Sequence, residues 1–247
     1  DTSLPPTATA IPMAISVNAE GITAEELQAE LARYKTSLTA LGKTVSDDQA
    51  LQAVRDDIIS QFLLAQAAAK EGFVMDQAAL QQRLDDLSTK LGGADKLAAW
   101  EQAHGYTSES FSQSLKRATA AAWMRDKVMS SVPTSADQVH VRQLLLYNED
   151  VAKNYYNQLQ AGADFDELAA QIDPVTRGDI GWFPRGYITE KAVEDAAFSL
   201  VGSNITKLLD RQSERELSPD ALSVMQIRAL NDWLATQRQQ SSIVLAP

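Results

Sequence analysis

Residues 177–186 read RGDIGWFPRG. Three glycines, a proline and two large aromatics share ten positions. Gly178 and Gly181 let the backbone turn into and through a short extended segment without the Cβ penalty of other residues. In an extended segment Trp182 and Phe183 point to opposite faces, one to seal a small core and the other to line a groove. Pro184 and Gly186 then bend the chain away. The stretch therefore predicts a short strand between turns, and a strand needs neighbours.

Those neighbours lie on either side. Val139–Tyr147, VHVRQLLLY, reads as a strand. Asn148–Gln160 reads as a helix closed by Gly162, and Asp164–Ile172 as a short helix with Phe165 and Leu168 facing inward. Glu190–Ser199 is again helical, and Ile205–Leu209 is the candidate final strand. Strands and helices alternating over so short a span imply a small α/β unit built on one sheet.

The flanks are different. Thr23 with Glu26, and Ser46 with Gln49, are capping-box pairs ahead of helical apolar stripes. The first stripe runs Leu27, Leu31, Tyr34, Leu38 and Leu41. The second, around Val54, Ile58 and Phe62, is broad enough to be buried on more than one side. Leu80, Leu84, Leu87 and Leu91 mark a third helix, Asp95–His104 a fourth, and Phe111, Leu115, Ala118, Ala122 and Trp123 a fifth. Ser218 and Pro219 open a tail helix whose one side carries Leu222, Met225, Ala229 and Trp233. The last apolar run, Ile243–Leu245, is too short to bury itself, as is Ala14–Val17, so the two are expected to pair. That pairing places both chain ends in one helical unit with the α/β unit inserted.

The 247 residues carry a net charge of −11 and no cysteine. Strong acidity argues against nucleic acid as a partner, since phosphate binding needs cations. Without cysteine there are no disulfides and no thiolate chemistry. No run of apolar residues is long enough to span a bilayer. Two histidines in the whole chain make a zinc or haem site improbable, and no cofactor is expected. His104 is expected to cap its helix, and His140 to be structural or exposed. Residues 1–12, DTSLPPTATAIP, read as a spacer after a removed export leader, with a membrane tether in the precursor, or as an arbitrary chain boundary. Phe73, Met75, Trp100, Tyr106, Trp123 and Met124 are candidates for touching unfolded chains, each with ordinary core packing as its alternative.

ADFDELAA at 163–170, RGDIGWFPRG at 177–186 and VEDAAFSL at 193–200 together resemble the parvulin type of peptidyl-prolyl isomerase. The helical flanks and the VNAEGIT start resemble the SurA/PrsA-like group of exported foldases. The resemblance implies an α+β chain: a helical chaperone domain of residues 13–132 plus 215–247, and an inserted parvulin-like (FKBP-like) domain at 138–212. It implies a periplasmic or cell-surface folding factor that binds unfolded or proline-containing polypeptides.

Isomerase chemistry needs no covalent step. The amide barrier is about 20 kcal/mol, and it is lowered by gripping the proline ring and stabilising the twisted amide in a dry site. In the family, two histidines sit centrally beside an acid or cysteine, and a Met or Leu with two Phe builds the pocket. Carried onto this chain, the first histidine falls on Gln143, which hydrogen-bonds but provides no imidazole. The acid falls on Asp173, the Met on Ile188, the first Phe on Val193 and the second on Phe198, with Trp182 and Phe183 beside them. The second histidine is expected in a strand after an AAFxLxxGxIS segment. This chain reads AAFSLVGSNITKLLD at 196–210, about a dozen residues short of that pattern. Two readings follow: a rotamase with a weakened site, or a non-catalytic peptide-binding chaperone or scaffold.

Overall fold

The structure is a computed structural model that describes residues 12–199 and 208–246. Apart from Pro12, the expected spacer lies outside the described residues, and so do residues 200–207, where the chain is short of the parvulin pattern. The elements begin with β1 (Met13–Val17), β2 (Glu20–Thr23), α1 (Ala24–Ala40), α2 (Asp47–Lys70), α3 (Gln77–Leu91), α4 (Ala94–Ala103) and α5 (Ser108–Ser130). Then come β3 (Ser135–Arg142), α6 (Glu149–Gln160), α7 (Phe165–Ile172), β4 (Asp179–Pro184), α8 (Lys191–Ser199), β5 (Leu208–Glu216), α9 (Pro219–Gln240) and β6 (Ile243–Leu245). The chain divides into two compact units. One runs to Val128 and resumes at Leu230; the other is Met129–Ala229. The fold is mainly helical with two small antiparallel sheets.

In the first unit both capping boxes form: the Thr23 and Ser46 hydroxyls accept from the backbone N–H of Glu26 and Gln49, whose side chains accept in return. The sheet order is β2-β1-β6, with Ile15 opposite Leu245 and Val17 opposite Ile243, so the two ends of the described chain meet in one sheet. The sequence reading did not foresee β2. A two-residue turn makes it, with Asn18 and Ala19 both at positive φ (51° and 71°). The Asn18 amide ties the turn to Gln66 and Ser241. Ile15, Val17 and Ile22 pack with Leu27, Leu31, Val54, Ile58 and Phe62 into one core. Phe73 and Trp123 join a second cluster with Met124, Leu230 and Trp233. Of the client-contact candidates, Phe73, Trp123 and Met124 are thus packing residues. Trp100 lies at the surface, stacked on His104 at 4.0 Å. His104 is the cap residue of α4, and its Nδ1–H donates to the Trp100 carbonyl at 2.7 Å.

Two helical stripes bury less than their periodicity suggests. Leu41 is 70% exposed, because α1 ends there in a turn that Gly42 closes at positive φ. In α3 only Leu80 is buried.

In the second unit the sheet order is β4-β3-β5, antiparallel throughout. The expected strand Val139–Tyr147 is corrected at both ends, starting at Ser135 and stopping at Arg142. Gln143 N–H still donates to the Gly178 carbonyl at 2.8 Å, but the following QLLL run leaves the sheet. Its leucines still alternate outside the sheet: Leu144 joins the cluster of Leu159, Phe165 and Leu168, while Leu145 is 60% exposed. The last described strand of this unit runs Leu208–Glu216, well past the expected end at Leu209; residues 205–207 of the expected Ile205–Leu209 strand lie outside the described residues. Its LLDRQSERE sequence has no apolar alternation past Leu209 and is held by backbone pairing to β3. Where that pairing slips, Glu214 takes a positive φ of 54°. There the buried Gln138 side chain donates to the Arg215 and Glu216 carbonyls at 2.8 and 3.1 Å.

Candidate functional site

Strand β4 presents its two aromatics to opposite faces, as the extended reading requires. Phe183 is fully buried with Val139, Val141, Ala197 and Phe198, and its ring meets Phe198 edge-on at 6.1 Å. Trp182 lies on the other face, 5.4 Å from the His140 ring and with the Arg215 guanidinium 4.3 Å above it. His140 Nε2–H donates to Asp179 at 2.7 Å, so this histidine ties β3 to β4. Burial raises the Asp179 carboxyl, but the Gly181 N–H and the His140 bond, with nearby Arg142, outweigh it and leave the group below its ordinary range.

Gly178 is where the turn becomes essential. Its φ is +74°, and a Cβ there would stand 2.0 Å from the Gln143 carbonyl oxygen. The bare glycine lets the two backbones meet, which fixes Gln143 just beyond the end of β3. At the other end of β4, Gly186 N–H donates to the buried Glu194 carboxylate of α8 at 2.5 Å.

Gln143 lines an apolar cleft of about 470 Å³. Its walls are Leu144 and Leu146 after β3, Tyr155, Tyr156 and Leu159 from α6, Phe165, Ile180, and Val193 with its alanine neighbours from α8. A second hollow, also about 470 Å³, shares Gln143, Leu144, Leu146 and Ile180 with it and adds Asp173, Thr176 and Asp179. The Asp173 carboxylate accepts from the Thr176 hydroxyl and from the backbone N–H groups of Thr176 and Val175. The Thr176 contacts lead in holding it below the usual carboxylate range. Asp173 therefore stays ionised as a fixed acceptor and holds no proton to donate near neutral pH.

The structure brings Gln143 together with Val193 in the first cleft and with Asp173 in the second. It does not bring the rest with them. Phe183 is core, and Ile188 packs against that core. Phe198 is core on one side and on the other lines a separate hollow of about 410 Å³ with Pro184, Leu217, Arg185 and Arg211. Trp182 lines none of the three. Sequence reasoning missed Tyr155, Tyr156, Leu144 and Leu146; the unbroken apolar run after β3 was the available signal. Among the described residues no group of three or more carboxylate or histidine side chains is placed to hold a metal ion.

Residues 5–125 match the SurA-like N-terminal domain family. The chain is 36% identical over 83 residues to the foldase protein PrsA of Caldanaerobacter subterraneus subsp. tengcongensis, a match covering 32% of this chain and 27% of that protein. The chain thus spans about a quarter of the length of this curated relative. Among solved structures, the peptidylprolyl isomerase PrsA of Bacillus cereus is 20% identical with a TM-score of 0.42, over 80% of this chain and 83% of that one. A SurA-like chaperone structure from Campylobacter jejuni, from work on PEB4 and the periplasmic protein Cj1289, is 12% identical with a TM-score of 0.35, over 95% and 98%. Residues 5–125 are thus similar to a SurA-like N-terminal domain, and an 83-residue stretch of the chain is similar to the foldase PrsA.

Proposed function

We propose that this protein binds unfolded polypeptide outside the cytoplasm and receives proline-containing segments in the cleft beside Gln143. The observation that carries the reading is that cleft: about 470 Å³, walled mostly by aliphatic and aromatic side chains, with the Gln143 amide and Arg142 as its polar groups. An apolar pocket with a few polar groups suits a proline ring and its flanking amide. Homology to a foldase and a SurA-like N-terminal domain support the same role. Export fits the periplasmic relative, and among the described residues no helix is long and apolar enough to cross a membrane.

Catalysis here is limited by Gln143. Its amide can donate to or accept from a twisting peptide bond, but it offers no imidazole. Isomerisation is therefore slow, and holding is the main activity. A protease-coupled cis/trans assay on a proline tetrapeptide, run beside suppression of aggregation of a denatured client, tests this. We expect suppressed aggregation, low turnover that rises in Gln143→His, and weaker peptide binding in Val193→Asp. Turnover unchanged by both substitutions would place the chemistry elsewhere. No turnover in any variant, joined to suppressed aggregation, selects the non-catalytic binder.

A further inference from the structure

The cleft wall holds a buried cation that the proposed function leaves unused. Arg142, the last residue of β3, is 8% exposed and lines the cleft. Its Nε–H donates to the Arg177 carbonyl at 2.8 Å, and its Nη1 pairs with the Asp166 carboxylate. The guanidinium carbon lies 5.1 Å from the centre of the Phe165 ring, another cleft residue. Nη2 is buried and has no hydrogen-bond acceptor among the described residues. Buried donors are nearly always paired, and an unpaired one is unfavourable.

Resting on the peptide-cleft reading above, we infer that Arg142 Nη2 is a peptide-reading donor. It takes a backbone carbonyl oxygen of the apolar segment held in the cleft. Asp166 already compensates the single charge of the guanidinium, so a neutral carbonyl fits this place better than a carboxylate. A second carboxylate would be repelled by Asp166 where little water screens it. Since Nη2 is closed to bulk water, the acceptor has to arrive with the occupant, displacing part of the wall that Phe165 shares. The side-chain pockets then select apolar residues, while Arg142 reads the main chain common to all clients.

Calorimetric titration of the full chain with acetyl-Ala-Ala-Pro-Phe-amide, and with analogues in which one peptide bond at a time is an alkene, tests this. We expect one analogue to bind wild type about tenfold more weakly than the parent. That difference should vanish in Arg142→Lys, which keeps a cation for Asp166 but has no Nη2. A thermal melt checks that the variant folds. Asp166→Asn is the second variant: it removes the carboxylate paired with Nη1, leaving only the more distant Asp179 charge, and should shift preference about tenfold towards the free-acid peptide. If all analogues bind wild type like the parent, or the loss persists in Arg142→Lys, the inference fails and the cleft reading stands. If Arg142→Lys does not fold, an unchanged amide-to-acid preference in Asp166→Asn overturns the inference. If the parent peptide does not bind wild type, both are overturned.

Discussion

The two sheets have the same plan, three antiparallel strands around a central one, and different uses. In β2-β1-β6 the central strand buries its apolar residues past Met13: Ile15 and Val17 have no exposed surface, and α1 and α2 supply the core they join. In β4-β3-β5 the central strand divides its sides. Val139 and Val141 face the Phe183–Phe198 core, while His140 and the neighbouring Trp182 stay partly open beneath Arg215. The first sheet fastens the two ends of the described chain together. The second leaves His140 and Trp182 partly open on one face, between the buried Gln138 and Arg142, and the cleft forms at the strand end, where β3 gives way to Gln143. The first sheet commits its inward side chains to one core, whereas the second divides its side chains between a core and a cleft.

The sharpest way to break this contrast uses adjacent residues of β4. Phe183→Ala empties a fully buried site and should lower stability by about 3–5 kcal/mol in urea unfolding. Trp182→Ala removes a half-exposed ring and its cation contact and should cost about 1–2 kcal/mol. It should leave peptide affinity unchanged, since Trp182 is outside the cleft. Equal losses in the two variants would show that both faces of the sheet are core.

How much of this was legible depended on whether the signal was local. Capping boxes at Thr23 and Ser46, the glycine turns and the opposed aromatics follow from rules acting over a few residues, and they are found as read. The pairing of β1 with β6 was also readable, because two short apolar ends have few other ways to satisfy their backbones. The strand at Glu216 was not, since LLDRQSERE carries no periodicity and is shaped by its partner β3 and by Gln138. The site was half legible. Gln143 and Val193 reach one cleft, but Phe198 and Ile188 have apolar side chains equally suited to core. Only the packing of α8, which carries Phe198, and of the segment before it, which carries Ile188, against the β3–β4 core decides which they serve.

A smaller effect separates the strand end from the strand itself. Gly181→Ala meets only the conformational strain of a positive φ, with open space around the added methyl, and should cost about 1–2 kcal/mol. Gly178→Ala carries the same strain and a collision with the Gln143 carbonyl, so it should cost more. If Gly178 positions the cleft, only that variant should also weaken peptide binding, read by the same calorimetric titration. Matching losses of affinity in both would mean that Gln143 is held by something other than this backbone contact.

The smallest expected effects are opposite in sign, and each belongs to one unit. In the first unit, desolvation by neighbouring groups raises the carboxyl of Asp57, although the residue is exposed at the surface, and Glu30 adds to the rise against the opposing Gln61 hydrogen bond and Arg117. In the second, hydrogen bonds hold the Asp179 carboxyl down despite partial burial. For Asp57 the folded state binds its proton more tightly than the unfolded chain. Its contribution therefore falls as pH rises from about 4, the unfolded value, through the raised folded value. Asp57→Asn should remove that decline and melt slightly higher than wild type at neutral pH. For Asp179 the unfolded chain binds the proton more tightly. Its contribution is present above about pH 4 and is lost as pH falls through the depressed folded value. Asp179→Asn should melt lower than wild type at neutral pH and converge with it in acid, because the His140 and Gly181 bonds need the charged carboxylate for their full strength. Thermal melts of the two variants against wild type between pH 3 and 7 give two difference curves. Curves of the same sign would show that burial, and not the hydrogen bonds across β3 and β4, governs both carboxylates.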